Sequence, residues 1–553
     1  MERDCGACHS LAYDRVGGSV RKLRHGDVDQ MIAVDVDQFY GIEIEDFPAQ
    51  IAQVALWLVD HQMNMKVSEE FGAYFVRIPL NHSATIVHSN ALRLDWDSVL
   101  PPEKCAYLLG NPPFVGHQWR SSEQMEDMAH VWGDGGRFGR LDFVTCWHHK
   151  AVQYMKHNPK VVTALVSTNS ICQGEQVGTL WSWMLEHGVK IHFAHRTFMW
   201  TSEARGRAAV HCVIVGFGLQ DSDEKVIFEY EDIKGEPHAI KARNINPYLV
   251  DAADIILPSR TATPAGLPQL IKGSQPTDGG HLILSEQDAD ELLSAEPTAA
   301  KWLKTYIGGE ELINGGRRYC LWLKGISPKE LKSMPAVMKR VAAVSQARLK
   351  SPTKSVQAFA DKPTLFTQDR QPDKDYLGVP EVSSERRRFI PIAFLSADII
   401  ASNKVQIVEG ATHYHFGMLC STMHNAWMRT VAGRLESRYS YAPAVYNNFP
   451  WPTPTDKQRT AIEAAAQAVL DARAAHPDSS LADLYDPLTM PPDLVKAHQR
   501  LDAAVDASYG YKGGSTDAAR VAFLFGLYQQ LTNLLPVVGS KPKRARRVKA
   551  DVS

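Results

Sequence analysis

The sequence is poor in cysteine, with eight residues scattered over 553 positions. So sparse a set excludes a scaffold held by disulfides and indicates a reduced, cytosolic protein. No apolar run approaches the ~18 residues that a membrane-spanning helix requires, so we expect no membrane partner. The sequence shows no internal repeats. It also has almost no excess charge, with a formal net charge of −2 at pH 7. Any contact with nucleic acid must therefore come from local basic patches.

What the sequence does contain is the tetrapeptide Asn111-Pro112-Pro113-Phe114, which follows a short apolar run at 105–110. The run predicts a buried strand ending at a glycine, so the tetrapeptide lies where open α/β sheets bind ligands. An Asn oxygen and a neighbouring carbonyl can accept both N–H bonds of a flat exocyclic amine, and two prolines hold those acceptors rigidly. The aromatic ring can stack on a base taken out of a duplex. The alternative is a proline-rich turn that carries a core phenylalanine.

Two segments upstream of the tetrapeptide fit a cofactor site. Residues 39–44 alternate apolar and polar side chains, which predicts a strand that ends near the acid Glu43. Residues 84–88 predict another strand, and Asn90 follows it. At such strand ends a carboxylate can accept hydrogen bonds from ribose hydroxyls, and an Asn side chain can pair with the edge of an adenine ring. Taken alone, Glu43 can be a solvated acid and Asn90 a turn residue.

Between these two strands the sequence predicts a helix, with Asp46 as its N-cap and Pro48 in its first turn. The residues expected on its apolar face are Ile51, Ala52, Ala55, Leu58 and Val59.

The order of Glu43, Asn90 and residues 111–114 resembles that of the ribose, adenine and catalytic motifs in one family. This family is the class I S-adenosylmethionine-dependent DNA adenine-N6 methyltransferases. The resemblance continues at residues 165–170, 193–198, 273–280 and 441–452. From about residue 30 to 535, the chain is similar to the methyltransferase and target-recognition parts of single-chain Type IIL restriction-modification enzymes.

This resemblance implies a domain order. The expected parts are a Rossmann-like class I methyltransferase domain, N-terminally truncated, at 1–255, a linker at 256–300, an α+β target-recognition domain at 301–453, a helical C-terminal domain at 454–536 and a basic disordered tail at 537–553. The implied function is a site-specific adenine-N6 methyltransferase without its own nuclease. Its partner would be double-stranded DNA, and it would be cytoplasmic and encoded by a bacterium or a phage.

The resemblance also implies S-adenosylmethionine as the cofactor. The residues implied to hold it are Glu43, Ile44, Asn90, Ala91, Cys5 and Gly6. Phe198 and Trp200 are implied to pack against the flipped adenine, with an aromatic core position as the alternative. We expect direct transfer to adenine N6, with Asn111 and the Pro112 carbonyl as acceptors and with neither a covalent enzyme intermediate nor a metal.

The N-terminus departs from the family pattern. Such enzymes carry a loop of the form Asp-Pro-Ala-Cys-Gly-x-Gly-Asn-Phe-Leu after a first strand, whereas this chain has Asp4-Cys5-Gly6 with no strand before it. The upstream nuclease region is also missing, so we expect no cleavage activity. Two alternatives follow: a non-catalytic DNA-binding remnant, or a separate chain that completes the N-terminus. Cys5 to His9 also match a haem-attachment pattern, but neither a signal peptide nor a second Cys/His pair for zinc accompanies it.

The second half of the sequence carries clusters of basic and aromatic residues. Arg and Lys contact phosphates and position a protein on DNA, while Arg, Glu, Asn and Gln read base edges. The residues predicted to contact DNA are Arg386, Arg434, Glu436, Arg438 and Tyr439, with Glu436 and Arg438 as the base readers. For any one of them, the alternative is a solvated charged face. Methylation of a protein glutamine or an RNA amine is a further alternative, against which this basic, aromatic region argues.

Three other residues are candidates for chemistry. His148 and His149 lie in a helical run and have no acid or Cys partner at ligand spacing, so we predict surface or packing roles rather than metal ligation. Asp142 could face the site, although an acid at a helix N-terminus is the ordinary interpretation.

Overall fold

The computed structural model describes residues 34–71, 83–133, 138–200, 210–230, 232–260, 263–264, 266–435 and 437–534. The chain divides into two compact units. The first holds residues up to Thr168 with Ser182–His195 and Cys212–Asp223, and the second holds Asn169–Trp181, Arg196–His211 and Glu224–Ser553. The predictions for Cys5, Gly6, the Cys-x-x-Cys-His pattern and the basic tail lie outside the described residues.

The first unit begins with a small parallel sheet. Strand β1 (Tyr40–Glu43) pairs in parallel with strand β2 (Thr85–His88), and helix α1 (Asp46–Phe71) connects them. The two strands and the helix lie where the sequence predicts them. The hydrophobic cluster of this sheet consists of Val36, Leu56 and Ala84, with Phe39, Trp57 and Ile86 packed against it.

The buried face of α1 differs from the predicted one. The structure buries Ala49, Leu56 and Met63, whereas Ile51 and Leu58 are exposed. The exposed apolar residues also follow helical spacing, and they are Phe47, Ile51, Val54 and Leu58. Because α1 is apolar on two sides, periodicity alone does not decide which side packs against the strands.

A mixed sheet contains the strand that precedes the tetrapeptide. Its strands are β3 (Tyr107–Gly110), β4 (Val162–Thr168), β5 (Lys190–Trp200), β6 (Val210–Gly218), β7 (Lys225–Glu229) and β8 (His238–Ala242). Their order is β3-β4-β6-β5-β7-β8, with β3 parallel and β6 antiparallel to β4. The carboxyl half of β5, together with β7 and β8, belongs to the second unit.

Three helices accompany this sheet: α2 (Ser122–Trp132), α3 (Thr145–Met155) and α4 (Glu175–Glu186). A capping box between Ser121 and Gln124 starts α2. Helix α3 carries the centre of the core, since Cys146, Val152 and Met155 are all fully buried. Short 3₁₀ helices lie at Val36–Gln38, Trp96–Ser98, Pro102–Lys104, Asn169–Ile171 and Pro297–Trp302.

The rest of the second unit contains three small sheets. Their strands are β9 (Leu270–Lys272), β10 (Ile283–Ser285), β11 (Leu303–Ile307), β12 (Arg318–Leu321), β13 (Tyr376–Pro380), β14 (Val382–Ser383), β15 (Ala393–Leu395), β16 (Ile400–Ala401), β17 (Val405–Glu409), β18 (Gly433–Leu435) and β19 (Arg438–Ser440). The strand orders are β10-β12-β11-β16, β15-β13-β17-β9 and β14-β19-β18.

Helices surround and follow these sheets. They are α5 (Glu286–Ala295), α6 (Gly309–Asn314), α7 (Pro328–Lys332), α8 (Pro335–Leu349), α9 (Lys354–Gln357), α10 (His413–Cys420), α11 (Thr422–Val431), α12 (Pro443–Asn447), α13 (Asp456–Ala474), α14 (Leu481–Leu484), α15 (Pro492–Tyr509) and α16 (Asp517–Leu534). The last four form the helical C-terminal region expected from the sequence.

The segment expected to be a linker is instead largely folded. Residues 270–300 supply β9, β10 and α5, and Leu282, Leu284 and Leu292 are buried in a core shared with residues beyond 301. The Pro, Thr, Gly and Asp residues that suggested a linker form tight turns between these elements. Thr277 and Gly279, for example, have φ values of 42° and 68°.

The predicted fold class is confirmed. An α/β part carries the tetrapeptide, an α+β part follows it, and helices end the described chain. Within the described ranges, none of the helices combines the length and apolar character needed to cross a membrane.

Candidate functional site

The tetrapeptide at 111–114 lies directly after β3, as predicted. Strand β3 runs parallel to β4, with Gly110 opposite Leu165. A Cβ on Gly110 would lie 3.1 Å from Leu165 Cδ2, so glycine permits this close approach. The strand pairing therefore fixes the point at which the tetrapeptide leaves the sheet.

The tetrapeptide presents one polar group and one ring. Asn111 and Pro113 are exposed, Pro112 is buried and Phe114 is half-buried. In the part of the chain that the structure describes, no hydrogen bond involves the Asn111 side chain. Its amide oxygen is therefore available to a ligand, while the buried Pro112 keeps the backbone behind it rigid.

Asp142 anchors the loop that follows the tetrapeptide. Its side chain is 8% exposed, and its oxygens accept hydrogen bonds from His117 N and Thr168 Oγ1, each at 3.3 Å. The backbone N–H of Phe143 donates to the Val115 carbonyl at 2.9 Å. The interpretation of Asp142 as a simple helix N-terminal acid is therefore incomplete. Its support of this loop was missed because the bonds join segments that are distant in sequence.

Glu43 lies at the edge where β1 and β2 end. It pairs in register with His88, and the Ser89 N–H donates to the Glu43 carbonyl at 2.8 Å. Glu43 Oε1 accepts a hydrogen bond from the backbone N–H of Ile44 at 2.9 Å. The Ile44 side chain is 58% exposed. A carboxylate beside an exposed apolar side chain suits a nucleoside, whose hydroxyls bind the acid and whose ring covers the apolar group.

Asn90 shapes the loop after β2. Its Oδ1 accepts from Leu92 N at 2.9 Å, and its Nδ2 donates to Asp127 Oδ2 at 3.1 Å. Asp127 is a buried residue of α2, and its second oxygen pairs with Arg93 Nε at 2.6 Å. These bonds fix the loop that includes Ala91 and leave one Asn90 N–H for a ligand. The sequence analysis missed Asp127 because it lies 37 residues beyond Asn90.

The two aromatic residues predicted to pack on a base lie on β5 in the second unit. Phe198 stacks on Tyr230, with ring centroids 5.4 Å apart and planes at 24°. Nearby, Arg196 pairs with Glu229 at 2.6 Å. Phe198 thus already has a ring as partner, while the Trp200 side chain lies outside what is described. Their contact with an adenine stays a prediction.

Four of the residues predicted to contact DNA belong to one region of the second unit. Strands β14, β19 and β18 form one three-stranded sheet. Arg434 lies on β18, Arg438 and Tyr439 lie on β19, and Arg386 lies in the segment after β14. Arg386 and Arg438 are exposed. Glu436, which comes between β18 and β19 in the sequence, lies outside the described residues.

Arg434 and Tyr439 support this β18–β19 hairpin. The Arg434 guanidinium lies 3.8 Å from the centroid of the Tyr439 ring, and it donates to the Ser437 carbonyl at 2.7 Å and to Gln173 Oε1 at 3.3 Å. Tyr439 is only 8% exposed. We interpret both as residues that shape the hairpin, and their contact with DNA stays a prediction.

A close backbone contact with Gly174 fixes the position of the β18–β19 hairpin. Gly174 has a φ of 71°, and its N–H donates to the Val431 carbonyl at 3.1 Å. A Cβ at Gly174 would lie 2.9 Å from Gly433 Cα. Both the backbone conformation and the available space therefore require glycine at this position.

His148 and His149 pack against aromatic rings. His148 is fully buried, stacks on Phe217 at 5.8 Å and donates from Nδ1 to the Val144 carbonyl at 3.2 Å. His149 stacks on Trp183 at 4.6 Å. Burial lowers the pKa of each to about 4, so both are neutral at pH 7. Within the described ranges, no group of His, Cys, Asp and Glu residues is placed to hold a metal ion.

An α/β core with this tetrapeptide at the end of a strand, followed by an α+β part with a basic hairpin, is the arrangement expected of a DNA-methyltransferase domain joined to a recognition domain. Comparison with known families agrees. Residues 13–229 match the MmeI DNA-methyltransferase domain, residues 251–453 the MmeI target recognition domain, and residues 454–536 the MmeI C-terminal domain. The chain belongs to the MmeI family of Type IIL restriction-modification enzymes.

Individual relatives support this assignment. The chain is 52% identical to the Type IIL restriction-modification enzyme MmeI solved in complex with DNA, with a TM-score of 0.81 over 92% of this chain and 68% of that one. It is 37% identical to DNA methyltransferase A of Bacillus subtilis (strain 168) over 496 residues, and the aligned region is 89% of this chain. The chain spans 55% of the length of that curated relative.

Proposed function

We propose that this chain transfers a methyl group from S-adenosylmethionine to the N6 amino group of an adenine in double-stranded DNA. The observation that carries the proposal is the exposed Asn111 amide, free of hydrogen bonds within the described chain and held on a two-proline turn after β3. The N6 amine offers two N–H bonds, which the Asn111 oxygen and the Pro112 carbonyl accept. These acceptors draw the nitrogen lone pair out of conjugation with the ring, so the amine becomes a nucleophile.

The residues at the ends of β1 and β2 suit the nucleoside part of the cofactor. Glu43 would accept hydrogen bonds from the ribose hydroxyls of the cofactor, and the exposed Ile44 side chain, with Asn90 and Ala91, would hold its adenine. When bound, the cofactor supplies an electrophilic methyl group on a positively charged sulfur. Cys5 and Gly6, proposed for the methionine part, lie outside the described residues.

The protein itself contributes mainly position. Extruding the adenine from the duplex costs a few kcal/mol, and the half-buried Phe114 ring offers a stacking surface in return. Asp142 keeps the loop after Phe114 in one conformation, so the acceptors are in place before the base arrives.

We propose that the hairpin turn reads the DNA sequence. A Glu side chain such as Glu436 can accept from the cytosine amino group, and an Arg side chain such as Arg438 can donate to guanine O6 and N7. Arg386, exposed beside the same sheet, suits a phosphate. Two features support this proposal: the exposure of Arg438 and the set of contacts that Arg434 makes to hold the turn.

The competing function is DNA binding without methylation, and one observation favours it. The exposed apolar stripe of α1 includes Phe47 and Leu58, which are 70% and 57% exposed, and β3 exposes Tyr107 (69%) and Leu109 (54%). Surfaces of this kind ordinarily pack against a further element. We propose that a separate chain covers them. In that case, this chain alone would bind DNA yet bind the cofactor poorly.

The test combines cofactor binding with methyl transfer to unmethylated plasmid DNA. We expect Asn111→Ala to lower the transfer rate by on the order of 100-fold or more, while binding of cofactor and DNA is retained. Asn314→Ala, at an exposed Asn that ends α6, is the matched control and should leave the rate unchanged. Equal loss of transfer and DNA binding in Asn111→Ala would contradict the role given to Asn111. DNA binding without measurable cofactor binding by the unmodified chain would favour the competing function.

We place the activity in the bacterial cytoplasm, since the cysteines that the structure describes are free thiols.

A further inference from the structure

Trp119 is an exposed tryptophan on the loop that follows the tetrapeptide. Its side chain is 84% exposed, which no other large apolar residue in the described chain exceeds. A tryptophan presents an apolar surface of ~150–250 Å² or more, so leaving it in water is unfavourable unless a ligand covers it. Its position five residues after Phe114 places this surface on the loop that we assign to the target base.

The loop holds Trp119 in a defined place. The backbone N–H of Trp119 donates to the Gly116 carbonyl at 2.9 Å, and the backbone N–H of His117 donates to the buried Asp142 carboxylate at 3.3 Å. Arg120 closes the loop from the other side, since its guanidinium donates to the carbonyls of His117 and Gly139. The ring is therefore presented by a pre-organised backbone, and little conformational entropy is lost when it binds.

The surroundings of Trp119 suit a ligand with flat faces and hydrogen-bond acceptors. Between Asn111 and Ser122 the sequence has the basic Arg120 and no acidic residue, and the Asp142 carboxylate that contacts this loop is buried. His117 and Gln118, next to Trp119, are both exposed and carry hydrogen-bond donors. An aromatic ring beside such donors is typical of surfaces that stack on nucleic-acid bases while contacting the backbone.

We propose that Trp119 stacks on a DNA base next to the extruded adenine and stabilises the opened duplex. The proposal rests on the proposed function, because it assigns the target base to Phe114. Phe114 is half-buried and holds the extruded base, whereas the exposed Trp119 remains with the duplex and replaces the stacking that the extruded base has left. Trp119 is thus a positioning residue for the reaction, and the methyl group never touches it.

A photo-crosslink tests the contact without relying on catalysis. The photoreactive residue p-benzoylphenylalanine replaces Trp119 in one protein and Leu488 in another. Leu488 is a matched control because it is 83% exposed and lies outside the tetrapeptide loop. On irradiation with plasmid DNA fragments, we expect a covalent protein–DNA product for position 119 and little for position 488. If position 119 gives no more product than position 488, the proposal is wrong, whether or not the chain methylates DNA.

A rate measurement tests the role in opening the duplex. The substrates are two short duplexes that contain the mapped methylated site, one fully paired and one mispaired at the target adenine. We expect Trp119→Ala to slow transfer by about 10- to 100-fold on the paired duplex and clearly less on the mispaired one, since the mispair lowers the cost of extrusion. Trp119→Phe should retain most of the rate. An equal loss on both duplexes would overturn the proposal, because it would show a defect unrelated to opening. An inactive unmodified protein would instead contradict the proposed function, while the crosslink would still decide the contact.

Discussion

Arg348 is predicted to be the main polar support of the turn at 273–280. It is 1% exposed on α8, and its guanidinium donates five hydrogen bonds of 2.7–3.0 Å to backbone carbonyls. The acceptors are the carbonyls of Pro276, Thr277, Phe359, Lys362 and Leu365. Arg348 thus joins the turn to the segment 359–365, next to the isolated β-bridge between Gln275 and Gln368.

Removing this guanidinium should be unusually destabilising. Each hydrogen bond from a charged donor contributes about 1.5–3 kcal/mol, but water can reach some of the freed carbonyls. We therefore expect Arg348→Ala to lower the free energy of unfolding by about 4 kcal/mol or more. Arg348→Lys should not rescue it, since an ammonium has three donors instead of five. The control is Arg340→Ala on the same helix. The Arg340 guanidinium lies 3.6 Å from the half-exposed Asp288 and donates one hydrogen bond of 3.3 Å to the His281 carbonyl, so we expect a loss of only about 1 kcal/mol.

The assay is urea unfolding combined with hydrogen exchange. We expect the early loss of protection in Arg348→Ala to be confined to the segments around 273–280 and 359–366, because those contain the freed carbonyls. Equal destabilisation by the Arg348 and Arg340 variants would refute the reasoning, as would a full rescue by lysine.

Three further predictions follow from the contacts of the described residues. Asp142→Ala should slow methyl transfer by about 10-fold or more with little change in DNA affinity, because it frees the loop after Phe114; single-turnover kinetics measure this. Burial lowers the pKa of His148 to about 4, so between pH 6.5 and 4 the unfolded chain binds a proton that the folded chain does not. Stability should therefore fall as the pH drops through this window, by about 2 kcal/mol at pH 5 for this group. Urea unfolding at pH 8 and pH 5 tests this, and a smaller pH effect in His148→Gln would support the assignment. Gly174→Ala should weaken site-specific DNA binding while cofactor binding is retained, because a Cβ there would lie 2.9 Å from Gly433 Cα. Filter binding at fixed salt measures it, and an unchanged affinity would contradict the role of this contact.

Local patterns predicted the elements that carry the site, but not what supports them. The strand before Asn111 and the strand that ends at Glu43 are found where hydrophobic alternation and turn residues place them. The buried face of α1 was predicted wrongly because its apolar residues lie on two sides, and only the tertiary packing selects Leu56 over Leu58.

Other features depend on contacts between distant segments. The support that Asp142 gives the tetrapeptide loop and the bond from Asn90 to Asp127 both join segments more than 20 residues apart, so no local pattern contains them. The residues 270–300 resemble a linker in composition because turns separate very short elements, whose burial appears only when the core beyond 301 forms. Tyr439 is a predicted DNA contact from its sequence context, and only the structure shows that its ring is buried against Arg434.

Adenine N6 is the atom of DNA that we propose receives the methyl group. The most direct measurement incubates the purified chain with methyl-labelled S-adenosylmethionine and unmethylated plasmid DNA, then digests the DNA to nucleosides and separates them. We expect label in N6-methyladenine, and a loss of that label in Asn111→Ala. Label in another nucleoside, or no label from a protein that binds both cofactor and DNA, would contradict it.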